Sequence, residues 1–224
     1  YFSRDPQGEK SLYKFEDSEY IILSSEIRSI LLFTGQKQLD LDILKSYFFS
    51  RHFIQFNKTI FKNINNLEPG DLFKFNMKNK KVKKIKKFSI REYISKKQYR
   101  LNEQKTESQL VNELDALLKK SLKEMLPEKR NFCSIISGGV DSSLISMILS
   151  KISRPKKFIS LNHIRKDRVS NKVQKFENYL MNKVYKIQVS KKDYLKNYLE
   201  ALKVCCSPIN SHDFPGKLIL AKKT

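Results

Sequence analysis

Long apolar runs are missing from this chain. No stretch approaches the roughly 20 apolar residues of a membrane-spanning helix, and no secretory leader is expected from the residues present. Cysteine is scarce and odd in number. Cys133, Cys205 and Cys206 lack the spacing of a disulfide framework, which fits reduced thiols and a cytoplasmic location. Cys133 lies in an apolar run and reads as a buried thiol. No cluster of cysteine and histidine has the spacing of a metal site. His52, His163 and His212 are far apart and read as surface or packing residues. Arginine is also scarce, with 9 residues against 36 lysines in a chain of net charge +22. A protein that reads bases favours the arginine fork, so nucleic acid is not the expected partner. The densest run, Lys78–Lys87, alternates with Val82 and Ile85 and reads as the solvated face of a hairpin.

What is present is enough for a packed core. Hydrophobic residues make up 40% of the 224, with 15 Phe and 10 Tyr. That length suits one large domain or two small ones. The chain opens Tyr1-Phe2-Ser3 and stops at Thr224 after an apolar helical run, so a piece of a longer protein is expected.

Two halves differ in pattern. Residues 1–100 are rich in strands and turns. Leu12–Phe15 and Tyr20–Leu23 predict a hairpin around Glu16-Asp17-Ser18-Glu19. A helix is predicted over Ser25–Phe33, ended by Gly35, and another from Asp40 with Leu41, Leu44, Tyr47 and Phe48 on one face. Pro69-Gly70 predicts a turn before paired strands at Leu72–Phe75 and Val82–Phe88. Residues 101–106 read as a linker. An amphipathic helix over 107–126 then carries Leu110, Leu114, Leu117, Leu118 and Leu122 at helical spacing. Beyond Pro127 strands (132–136, 157–161, 184–189) alternate with helices (142–151, 170–181, 191–203, and one from Pro215). That order predicts a parallel sheet covered by helices, with strands buried on both faces.

The stretch Ser137-Gly138-Gly139-Val140-Asp141-Ser142-Ser143 falls between a strand and a helix of this second half. Ligands of open α/β sheets bind at that end of the strands. Paired glycines let the backbone approach a ligand. Amide groups at a helix start favour an anion, above all phosphate. Ser137, Ser142 and Ser143 add hydroxyls, and Asp141 suits phosphate if it holds Mg²⁺. A plain strand-to-helix turn capped by Ser and Asp is the competing reading. The pattern is neither G-x-x-x-x-G-K-[ST] nor G-x-G-x-x-G.

The stretch resembles the pyrophosphate loop of the N-type ATP pyrophosphatases. Within that group the first half is similar to asparagine synthetases. Arg4, Asp5, Gly8, Leu12 and Tyr13 match an R-D-x-x-G-x-x-P-L-Y hairpin, with Ser11 where proline is usual. Ser25, Glu26, Ile27, Leu31 and Leu32 match the segment that follows it, and Thr59–Phe75 resembles the family's linker.

The resemblance implies an α/β fold in two parts. Residues 1–100 would be the C-terminal part of an Ntn-type glutaminase domain (α+β, antiparallel strands) plus a linker hairpin. Residues 101–224 would be the N-terminal part of a parallel-sheet ATP-pyrophosphatase domain. Ser137, Gly138, Gly139, Val140, Asp141, Ser142 and Ser143 would cradle ATP phosphates, with Asp141 on Mg²⁺. Ile136 and Leu161 would contact the nucleotide. The implied reaction is glutamine-dependent amidation of aspartate to asparagine, with ATP split to AMP and pyrophosphate. A sugar, peptide or other acceptor is the alternative, because Cys206-Ser207 stands where the family has an acidic pair. A tRNA-modifying ATP pyrophosphatase is a further one, which the Arg4–Leu32 segment opposes. The implied partners are ATP, glutamine and the acceptor, with a homodimer among the expectations and no membrane or nucleic acid. The family's nucleophilic cysteine has no counterpart here. Cys133, Cys205 and Cys206 are not that nucleophile, and this piece alone is expected to be inactive.

Overall fold

The computed structural model describes residues 1–51, 55, 57–153, 155–162, 168–180, 183–209, 211 and 213–224. His52, His163 and His212 lie outside the described residues. Two compact units emerge, one of Tyr1–Leu101 with Leu202–Asn210, the other of Asn102–Ala201 with Ser211–Thr224.

The first unit runs β1 (Phe2–Ser3), β2 (Tyr13–Glu16), β3 (Ile21–Ser24), α1 (Ile27–Thr34), α2 (Leu41–Ser50), β4 (Ile64–Asn66), β5 (Asp71–Asn76) and β6 (Lys81–Lys87). A short 3-10 turn (Ile90–Tyr93) and α3 (Lys96–Glu103) follow. Two antiparallel sheets form, in the orders β3-β2-β4 and β1-β5-β6. The predicted hairpin is present, with Phe15 opposite Ile22 on one side and Ile64 on the other. Phe15, Ile27, Ile30 and Ile64 build the core, and Tyr13, Ile22, Leu31, Phe61 and Cys206 pack on it. Removing each such side chain from water contributes about 1.5–3 kcal/mol. Gly35 ends α1 in the left-handed conformation, φ 64°. Asp40 caps α2, its carboxylate accepting from the N–H groups of Asp42 and Ile43.

The buried face of α2 differs from the predicted one. Ile43 is buried, Leu44 and Tyr47 are half-buried, and Leu41 and Phe48 stay 60% and 72% exposed. The Tyr47 hydroxyl donates to the Ile209 carbonyl at 3.0 Å, so a segment remote in sequence chooses the face. The lysine-rich strand β6 is exposed along nearly its whole length. Its lysines serve the hairpin. Lys84 lies 2.6 Å from buried Asp71, Lys87 pairs with Glu68, and Lys86 sits 4.4 Å from the Phe88 ring centroid. The helix α3, which includes residues 101–103 of the predicted linker, has no buried residue and no apolar stripe to announce it.

The second unit runs α4 (Glu107–Met125), β7 (Cys133–Ile135), α5 (Val140–Ile152), β8 (Lys157–Asn162), α6 (Arg168–Leu180), β9 (Val184–Gln188), α7 (Lys191–Cys205) and α8 (Phe214–Lys223). The strands form a parallel sheet in the order β7-β8-β9. Ile136, Phe158, Val173, Phe176 and Val184 make its core, with Met147 and Leu180 against them. Thr106 and Gln109 close a reciprocal capping box at the start of α4. Burial on both sheet faces holds only for the middle strand. Along one row Ile159 is buried, while its neighbours Ile135 and Tyr185 are 51% and 53% exposed. β7 and β9 are edges, so their outer side chains lack cover. The predicted apolar face of α4 is likewise open, with Leu110, Leu114 and Leu117 exposed. No helix among the described residues is long and apolar enough to cross a membrane.

Candidate functional site

The loop at the end of β7 begins from a fixed point. Ile136 is fully buried, and its N–H donates to the Ile159 carbonyl at 2.8 Å, extending the parallel ladder by one bond. The chain then has to turn from the sheet into α5 within three residues. Gly138 makes the turn at φ 76°, a conformation that side chains with a β-carbon disfavour. Gly139 occupies the cap position of α5 with extended angles.

Two serines brace the loop from inside. The hydroxyls of Ser137 and Ser142 lie 3.0 Å apart. The Ser137 N–H donates to Ser142 Oγ at 3.3 Å, and the Gly139 N–H donates to Ser137 Oγ at 3.4 Å. Ser142 Oγ in turn donates to the Gly139 carbonyl at 3.2 Å. The Ser143 N–H closes the first helical bond on that same carbonyl at 3.1 Å. Behind the loop, the buried hydroxyls of Ser134 on β7 and Ser146 on α5 meet at 2.7 Å.

No side chain caps the start of α5. The N–H groups of Val140 and Asp141 stand in the first turn, where no carbonyl of the helix reaches them. They sit at the positive end of the helix dipole. Val140 is 83% exposed, and Ser137, Gly139 and Asp141 are exposed too. The competing reading, a turn capped by its own Ser or Asp, lacks the side-chain cap it calls for. The serine hydroxyls brace the loop instead.

Ile136 through Ser143 are thus one continuous structure, and Leu161 comes close to it by register. β7 ends where Ile135 pairs with Ile159, and Leu161 lies two residues further along β8, half-buried at the same end of the sheet. Among the described residues no three Cys, His, Asp or Glu side chains cluster to hold a metal. An exposed carboxylate such as Asp141 has the chemistry of a Mg²⁺ ligand, since that ion takes one or two protein carboxylates and fills its shell with other oxygens. Cys205 and Cys206 show no activation. Burial, together with the neighbouring thiol of Cys206, pushes the Cys205 thiol up, and burial pushes the Cys206 thiol up.

One residue near the loop carries no signal in the sequence. A β-carbon placed on Gly138 would lie 2.9 Å from Lys172 Cβ and 3.8 Å from Val173 Cγ2, so the second turn of α6 backs the loop.

In the first unit, Arg4 and Asp5 organise a turn. The Arg4 guanidinium donates to the carbonyls of Gly8, Lys10 and Leu67 and to the Asn66 side chain. The Asp5 carboxylate accepts from the N–H groups of Gln7, Glu9 and Lys10, and those amide bonds hold it below the usual carboxylate range. Gly8 stands at φ 71°, packed so closely that a β-carbon would lie 2.7 Å from Pro69 Cγ. The residue types that mark this segment are therefore those its turn requires.

Residues 1–88 match the family described as "Glutamine amidotransferase domain", and residues 113–224, half of the chain, match "Asparagine synthase". No curated protein matches the chain. An antiparallel unit with the Arg4–Asp5 turn, followed by a parallel-sheet unit with the Ser137–Ser143 loop, places the chain in the asparagine synthase family of glutamine-dependent amidotransferases.

Proposed function

We propose that the loop Ser137–Ser143 cradles the polyphosphate of ATP, and that the protein uses it to amidate the side-chain carboxylate of aspartate. The observation that carries this reading is the uncapped start of α5, exposed and flanked by Gly138 and Gly139. The amide groups of Val140 and Asp141 donate to the phosphate oxygens. Ile136 and Leu161, at the carboxyl ends of β7 and β8, border the nucleoside. Asp141 would hold Mg²⁺, whose positive charge would offset that of the phosphates.

The chemistry balances without a redox step. An oxygen of the acceptor carboxylate attacks the α-phosphorus of ATP, and the bond to pyrophosphate breaks. Ammonia, released from glutamine by hydrolysis, then attacks the acyl carbon. AMP leaves and the amide remains. Adenylation replaces a poor leaving oxygen by a good one, and the loop stabilises the charge that develops on pyrophosphate.

A second acceptor class is favoured by one observation. Cys206, which with Ser207 replaces the family's acidic pair, packs against the core of the first unit and bonds the Lys203 carbonyl through sulfur at 3.4 Å. An uncharged thiol and a hydroxyl therefore stand where the acidic pair would bring two negative charges. A sugar or peptide carboxylate is the acceptor under this reading.

The test uses the intact gene product. Acceptor-dependent release of pyrophosphate from ATP is measured with aspartate, then with sugar and peptide carboxylates. Asp141→Ala is expected to lower that release by a factor of about 100 or more. Near-normal release in this variant sinks the assignment.

A further inference from the structure

The loop that receives the polyphosphate supplies no positive side chain of its own. Its one charged residue, Asp141, is negative. A triphosphate adds several further negative charges, and neutral amide donors with one metal ion leave that charge only partly compensated. The G-x-x-x-x-G-K-[ST] phosphate loop, a different pattern, meets the same need with its own lysine. The geometry points to Lys172 as that cation here, an inference that rests on the polyphosphate reading of Ser137–Ser143.

Three observations carry it. The Lys172 stem lies along Gly138, its Cβ and Cδ at 2.9 Å and 3.7 Å from the position a β-carbon on that glycine would take. Its ammonium is two bonds beyond Cδ, so it cannot be far from the turn. Lys172 is exposed, whereas the next residue, Val173, is 1% exposed and locked in the core. The helix is thereby pinned at Val173, and the lysine beside it is presented at the loop rather than left to wander. Lys175, one turn further along α6, is also exposed and carries the same charge, and it is not among the atoms nearest Gly138. The ammonium of Lys172 would bond a non-bridging phosphate oxygen and remain with pyrophosphate when it leaves.

Binding of magnesium pyrophosphate to the intact protein, followed by calorimetry at two salt concentrations, tests this separately from turnover. Lys172→Ala is expected to weaken binding about tenfold to a hundredfold, the usual effect of losing a charge-assisted hydrogen bond, and to flatten its salt dependence. Lys172→Arg is expected to restore affinity to within about threefold. Lys175→Ala, which removes the same net charge, is expected to bind as the wild type does. Gly138→Val reports on the loop itself. If Gly138→Val abolishes binding while Lys172→Ala behaves like Lys175→Ala, the lysine assignment is overturned and the loop reading stands. If the wild type and Gly138→Val bind alike, the loop reading fails and takes the lysine with it.

Discussion

The hydroxyls of Ser134 and Ser146 meet at 2.7 Å in the interior, one on β7 and one on α5, with the whole Ser137–Ser143 loop strung between them. This small polar contact fixes the helix against the strand at the place where the loop's amides must be aimed. Two apolar side chains would hold the elements together as well, but with less control over their register.

Ser146→Ala leaves the Ser134 hydroxyl buried and without this partner, at an expected cost of about 1–3 kcal/mol. Removing both hydroxyls is expected to cost less than the two single changes added together. A double-mutant cycle by urea denaturation measures the difference. Strict additivity would mean that the two hydroxyls do not depend on each other.

Gly70 and Gly35 both have positive φ, at 79° and 64°, but their surroundings separate them. A β-carbon on Gly35 meets nothing, so Gly35→Ala is expected to cost only the backbone term, about 1–2 kcal/mol. One on Gly70 would fall 2.0 Å from the Phe88 carbonyl oxygen. Relieving it would displace the bond from the Phe88 N–H to the Gly70 carbonyl, now 2.8 Å. Gly70→Ala is therefore expected to cost on the order of 3 kcal/mol or more. Melting of the two variants under one condition decides the order.

Glu177 on α6 gives the second unit a pH dependence. Burial pushes its carboxyl up, but the Lys186 ammonium at 2.8 Å and the Val184 N–H outweigh that and bring it below its ordinary 4.5. A carboxyl lowered by folding stabilises the native state above its unfolded value, and that contribution disappears as the pH falls through the folded one. Glu177→Gln is expected to be less stable than the wild type near neutrality. The gap should start to narrow as the pH falls towards 4.5 and close only below the lowered folded value. Urea midpoints across that range read it directly, and a gap independent of pH would remove the carboxylate from the account.

The alternation of strands and helices after Pro127 was open to reading because buried parallel strands concentrate apolar residues and turns interrupt them. Ile136 to Ser143 was open to reading for a related reason: paired glycines with serines are costly anywhere but a tight turn. The rest depended on partners remote in sequence. The working face of α2 follows from Ile209, which no local periodicity reveals. The helix α3 has no buried residue to create a period. Lys172 is one lysine among 36, and only the packing of α6 on Gly138 sets it apart.

Arg4 has a consequence for how the first unit is made. Its guanidinium bonds the carbonyl of Leu67, and β1 beside it pairs with Phe73. On the ribosome these two partners are born late, whereas the acceptors at Gly8 and Lys10 follow within a few residues. At about 5–20 residues per second, Arg4 waits several seconds for Asn66 and Leu67 to be synthesised. During that interval Phe2 and the outer part of the Arg4 guanidinium are open to whatever nascent segment meets them first.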